Sequence, residues 1–163
     1  MIPLVDVTVE SDGWKALDDL QGLAEQAIAA AVTQEGLVLA PDAEVSLMFC
    51  GDPFIQALNL RWRGFDKPTN VLSFPTEGEP ETAKALGDIV VAFETCAREA
   101  READKPLADH VSHLIVHGFL HLLGYDHEDE EEAEEMEAAE RAALARLGVA
   151  DPYREPAAPH EER

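Results

Sequence analysis

Apolar residues along the chain recur with two different periods, and the changes of period mark out short strands between longer helices. From Ile2 to Val9 the pattern alternates, with Val5, Val7 and Val9 on one side, as in a half-buried strand. From Trp14 to about Glu35 the repeat lengthens. Trp14, Leu17, Leu20, Leu23, Ala24, Ala27, Ile28, Ala31 and Val32 recur at three and four, which predicts an amphipathic helix stopped near Gly36. Val45, Leu47 and Phe49 alternate in a second strand that turns at Gly51. Asp52-Pro53 then reads as an N-cap with proline at the first helical position, opening a short helix through Leu60. Arg61 to Lys67 reads as a loop.

Val71-Leu72-Ser73-Phe74 predicts a third strand ended by Pro75, and the polar stretch Thr76 to Leu86, with Gly78 and Pro80, an exposed connection. Ile89 to Phe93 is apolar on both faces, which places a fourth strand in the sheet interior. Three helices follow: Glu94 to Ala103, bounded before Pro106; the apolar Leu107 to Leu123; and Asp129 to Leu147, ended by Gly148. Residues 1–150 are expected to form one domain and 151–163 a disordered tail. The fold class is α+β: a single domain whose mixed sheet of about four strands packs against four or five helices.

Composition and charge narrow this picture. The 163 residues are 46% hydrophobic, enough for one sizeable core. No run is long enough to span a membrane, and the start of the chain lacks a basic signal sequence, so a cytoplasmic protein is expected. Cys50 and Cys96 lack paired metal-ligand spacing and read as reduced core residues. The net charge of −22 is awkward for a partner that is itself a polyanion. That charge is uneven, however. Glu128 to Glu140 is almost continuous acid and reads as a solvated helix face, whereas Arg61, Arg63 and Lys67 cluster within one short stretch.

Candidate chemistry centres on His117, His121 and His127. Residues four apart share a helix face, so His117 and His121 can ligate one metal ion. Gly124 can take the left-handed conformation that turns the chain back, bringing His127 to the same ion. Three protein ligands leave a fourth position for water, the mark of a catalytic zinc site. The same spacing occurs in zinc peptidases, whose glutamate base follows the first histidine; here that position is Gly118, which argues against an endopeptidase. His113 lies one turn before His117 among apolar neighbours and reads as a core histidine or one that orients a ligand. His160, in the tail, is assigned no role. Asp88 and Asp126 are carboxylates that could orient a ligating histidine, although a turn or strand-end role is the commoner one for such residues.

The histidine segment, together with Leu58-Asn59-Leu60-Arg61-Trp62-Arg63-Gly64-Phe65-Asp66-Lys67-Pro68-Thr69-Asn70-Val71-Leu72-Ser73-Phe74-Pro75, closely resembles the YbeY family of bacterial endoribonucleases. Leu86-Gly87-Asp88-Ile89-Val90 and Glu132 to Met136 are similar to that family as well, so the resemblance covers roughly residues 44 to 148. It implies a single-domain zinc-dependent enzyme that cuts single-stranded RNA. The implied roles are 3′-end maturation of small-subunit ribosomal RNA and ribosome quality control. Small-subunit ribosomal proteins or an assembly GTPase would be partners, and no membrane is involved. It also implies that His117, His121 and His127 are the metal ligands and that Arg63 is functionally important.

These expectations combine into a mechanism in which one Zn2+, held by His117, His121 and His127, supplies the nucleophile from its water while Arg63 clamps the phosphate. From the residues alone, pairing with Asp66 is the simpler role for Arg63. Two other function classes stay open: a different zinc hydrolase, and a non-catalytic ribosome-assembly factor in which zinc holds the helix and turn together. The metal is open too, since three imidazoles also bind nickel, copper and cobalt.

Overall fold

In a computed structural model of the chain, residues 2–126 and 128–153 are described. His127, His160 and the tail from residue 154 lie outside them. Among the described residues the order is strand β1 (Leu4–Val9), helix α1 (Leu20–Glu35), β2 (Glu44–Cys50), α2 (Asp52–Arg63), β3 (Val71–Pro75), β4 (Ala85–Ala92), α3 (Phe93–Glu102), α4 (Leu107–Leu122) and α5 (Glu130–Arg146). The four strands form one mixed sheet ordered β1-β2-β4-β3, parallel except for β3, which runs antiparallel to β4. This is the expected α+β architecture, with the expected interior strand at β4.

Strand alternation divides the packing into two faces. Val45, Leu47, Phe49, Ile89 and Val91 point into the main core, which α1, α4 and α5 close with Ile28, Ala31, Ile115, Phe119, Met136 and Leu144. Cys50, Leu72, Val90 and Ala92 point the other way into a smaller cluster with Ile55 of α2. Both cysteines are buried and unbridged.

Three boundaries differ from the pattern reading. Trp14 does not begin α1. It lies in a short 3-10 turn, Asp12–Ala16, and α1 starts later because the Asp19 carboxylate caps it by accepting from the Gly22 amide. Trp14 is nevertheless only 2% exposed, wedged edge-on against Phe49 and Phe93, and its indole N–H donates to the Cys50 carbonyl at 2.8 Å. The apolar repeat therefore registered burial correctly but joined two elements.

The second correction concerns α2, which is capped by Gly51 and continues to Arg63. Gly64, at φ 79°, ends it in the left-handed conformation, with its amide on the Asn59 and Leu60 carbonyls. Arg61 and Arg63 thus occupy a last helical turn, where the helix dipole favours cations, rather than a loop. Third, β4 starts at Ala85, within the stretch expected to be an exposed connection, because Ala85 pairs with Glu44 through an irregularity in the ladder.

Candidate active site

His117 and His121 lie on the last turns of α4, with ring centroids 4.6 Å apart. Their partners fix their tautomers. Nδ1 of His117 is 2.6 Å from Oε2 of Glu140, and Nδ1 of His121 is 3.0 Å from the Tyr125 carbonyl. Carboxylates and carbonyls only accept, so each Nδ1 carries a proton, and in a neutral ring Nε2 is then the nitrogen that could bind a metal. The Tyr125 carbonyl is itself positioned by the turn after α4. Gly124 takes φ 100°, the Tyr125 amide bonds the Leu120 carbonyl, and the Tyr125 hydroxyl donates to Glu35 of α1.

Gly118, between the two histidines, faces the sheet. A Cβ there would sit 2.9 Å from Oγ of Ser73 and 3.0 Å from Cγ2 of Ile89. The Ser73 hydroxyl also donates to the Gly118 carbonyl, tying β3 to α4 at 3.1 Å. The position of the peptidase base is therefore filled by close helix–sheet packing, and a glutamate there would have to displace Ser73 or Ile89.

Glu140 is the residue that the sequence reading missed. The run of acid from Glu128 assigns it to a solvated helix face, yet it is fully buried. Its Oε1 lies 2.8 Å from Nε2 of His113 and accepts from the Tyr153 hydroxyl, while Oε2 holds His117. Burial pushes its carboxyl pKa up, but hydrogen bonds from His113 and His117 outweigh that and hold it well below the ordinary range. Burial and the Glu140 charge push the Tyr153 hydroxyl upward, so it remains a donor. A signal was present in the sequence. Met136, Ala139, Glu140, Ala143 and Leu144 recur at helical spacing and all are buried, so Glu140 stands inside the apolar stripe of α5. Tyr153 lies in the segment expected to fray, and it is held here.

A cleft of about 710 Å³ brings most of the predicted site together. His117, His121, Gly124 and Asp126 form one side; Trp62 and Arg63 of α2 and the segment from Thr69 to Pro75 form the other. Arg63 does not turn to Asp66, which accepts from Gln56; its guanidinium lies 5.8 Å from the Phe65 ring centroid. Asn70, in the cleft, donates to both oxygens of Glu99, which also lies 2.8 Å from Nε2 of the buried His110.

Asp88 is elsewhere. It lines a groove on the opposite face of the sheet with Asp6 and Met48, because its neighbour Ile89 is the residue that points toward α4. A carboxylate that does hold a cleft histidine is Glu140, which His113 also contacts, and Asp126 lies in the cleft itself.

Among the described residues, no group of three metal-ligating side chains assembles. Two imidazoles sharing one helix face, with both Nδ1 protons committed to acceptors, do suit a transition metal such as zinc. The third expected ligand, His127, is outside the described residues.

The family model described as Endoribonuclease YbeY matches residues 7–148. A protein of that name from Methylocella silvestris is 55% identical over 162 residues, covering 99% of this chain and 92% of its own length. Another, from Beijerinckia indica, is 56% identical over 160 residues, covering 94% of this chain and 78% of its own length. The solution structure of a Thermotoga maritima protein aligns with a TM-score of 0.56 at 26% identity, covering 93% of this chain and 99% of that one. With a family match across nearly the whole sheet and all five helices, and relatives above half identity, the chain belongs to the YbeY family of endoribonucleases.

Proposed function

We propose that the chain is a zinc-dependent endoribonuclease that cuts single-stranded RNA, acting in the cytoplasm in 3′-end maturation of small-subunit ribosomal RNA and in ribosome quality control. The observation that carries this reading is the shared cleft, in which Arg63 faces the same space as His117 and His121. Family membership supports the reaction class. No helix of the described residues is long and apolar enough to cross a membrane.

His117 and His121, with His127, would hold the ion. When bound, zinc supplies Lewis-acid chemistry at water and at a phosphoryl oxygen. Glu140 and the Tyr125 carbonyl hold Nδ1 of the two described imidazoles, which assigns ligation to their Nε2 atoms. Arg63 presents a planar, permanently charged fork to the phosphate that enters the cleft. Thr69, Asn70 and Ser73 add polar groups along the wall opposite the histidines.

Ribosomal proteins of the small subunit or an assembly GTPase are proposed as partners that deliver the substrate. The charge of −22 supports such help, because an acidic chain repels RNA at long range.

The test is single-turnover cleavage of a single-stranded RNA, with metal analysis of the same preparations. Wild type is expected to contain zinc and cut, and folded Arg63→Ala and His121→Ala to cut far more slowly. Wild-type rates from Arg63→Ala would remove its phosphate role. Unfolding of both His117→Ala and His121→Ala, with no cleavage by wild type, would favour the assembly-factor reading. The peptidase reading predicts casein cleavage, which the packing at Gly118 argues against.

A further inference from the structure

The end of α2 exposes two large aromatic rings that no packing requirement explains. Trp62 is 61% exposed and Phe65 50% exposed. Trp62 and Phe74 meet at a steep angle with centroids 6.2 Å apart, so the Trp62 ring is braced while much of its surface meets solvent. Three cations surround these rings. Arg61 Cζ is 5.3 Å from the Trp62 centroid, and Arg63 Cζ and Lys67 Nζ are each 5.8 Å from the Phe65 centroid. The whole chain carries 12 Lys and Arg against 34 Asp and Glu, so three cations around two exposed rings are a sharp local reversal of charge. Trp62 and Arg63 both line the histidine cleft.

A polyanion is the ligand this charge reversal suits, and an exposed ring beside cations suits one with flat aromatic groups. Stacking on aromatic rings flanked by Arg or Lys is how proteins hold unpaired bases without reading their sequence. We infer that Trp62 and Phe65 form a base-stacking subsite at the rim of the cleft. The subsite takes one or two unpaired bases of an RNA strand, with Arg61, Arg63 and Lys67 on the flanking phosphates. This rests on the reading of the chain as an RNA-cutting enzyme and adds a physical origin for single-strand preference. A paired base has both faces covered by its neighbours and cannot present one to a protein ring.

The chain contains its own probe, because Trp62 is exposed whereas Trp14, the other tryptophan, is buried. Tryptophan emission is followed while wild-type protein is titrated with a 2′-O-methyl oligouridine or with an abasic ribose-phosphate oligomer of equal length and charge. The oligouridine is expected to quench emission and to bind more tightly than the abasic strand. Trp62→Leu should lose the quench and weaken oligouridine binding by about 5- to 150-fold, the usual range for one stacked base. Trp62→Tyr should restore much of the loss, and Phe65→Leu should give a smaller one. Equal binding of the two oligomers by wild type, or a Trp62→Leu variant that keeps the full preference, overturns the subsite. If wild type does so while still cutting single-stranded RNA, the subsite alone falls. If wild type neither binds nor cuts RNA, the proposed function falls with it. Should Trp62→Leu fail to fold, Phe65→Leu and the wild-type comparison still decide the matter.

Discussion

Replacing Glu140 by glutamine tests whether the buried carboxylate orients His117 or merely fills space. Glu140 accepts three hydrogen bonds on two oxygens: His117 on one, His113 and Tyr153 on the other. Glutamine has one accepting oxygen and one donating NH₂. If the NH₂ faces His117, that ring must move its proton from Nδ1 to Nε2, and Nε2 can no longer ligate. If the NH₂ instead faces His113 and Tyr153, the tyrosine hydroxyl can turn to accept. His113 must then move its proton to Nδ1, which is already buried without a described partner. Both arrangements cost something, and both remove the charge that would favour a metal on His117.

Loss of an outer partner of a ligating histidine typically weakens metal binding about 10- to 100-fold, or roughly 1.4–2.7 kcal/mol. Glu140→Gln is expected within that range, measured by competition with a chromophoric zinc chelator at pH 7. Glu140→Ala should lose stability as well, by about 3–5 kcal/mol in denaturant melts of metal-free protein, because it strands three donors in a buried site. A Glu140→Gln variant with wild-type zinc affinity would refute the orienting role. A melt that falls for Ala with zinc affinity unchanged in both variants would make Glu140 purely structural.

Three further outcomes follow from the same geometry. Tyr153→Phe should cost about 1.5–3 kcal/mol in urea melts, the worth of a hydrogen bond to a charged group, whereas a segment without structural role would show no change. Gly118→Glu should not create a peptidase and should lower stability by at least about 1–3 kcal/mol through overpacking against Ser73 and Ile89; wild-type melting together with casein cleavage would contradict this. Burial raises the Cys50 thiol from 9.0 to about 12, and raises Cys96 in the same direction. Unfolded thiols therefore ionise first, so their contribution to stability is complete below pH 9 and declines as pH rises toward 12; Cys50→Ala should flatten that alkaline decline relative to wild type.

The parts of this molecule legible in the sequence are those set by neighbours along the chain. The strand at Val45 to Phe49 and the helix from Leu107 appear as periods of two and of three to four, because one face of each packs on the core. His117 and His121 are legible for the same local reason. The pattern misleads where a capping residue decides the outcome. Asp19 starts α1 three positions after the 3-10 turn, and Gly64 lets α2 run through a charged Arg-Trp-Arg segment that looks like a loop. In each case a cap, not hydrophobic periodicity, set the boundary.

The partners of the histidines were hidden for a different reason. Glu140 is 23 residues from His117 and reaches it only because α5 packs beside α4. It follows so many glutamates that composition assigns it to solvent, yet its helical phase matches Met136, Ala139, Ala143 and Leu144. A charge in the middle of an apolar stripe is costly to bury unless something compensates for it. In an acidic helix, then, the informative glutamate is the one out of phase with the others. Its position implies a cluster of donors on the facing helix, and α4 supplies them as His113 and His117, one helical turn apart. Phase in α5 and spacing in α4 together point to the same buried contact, which neither segment reveals alone.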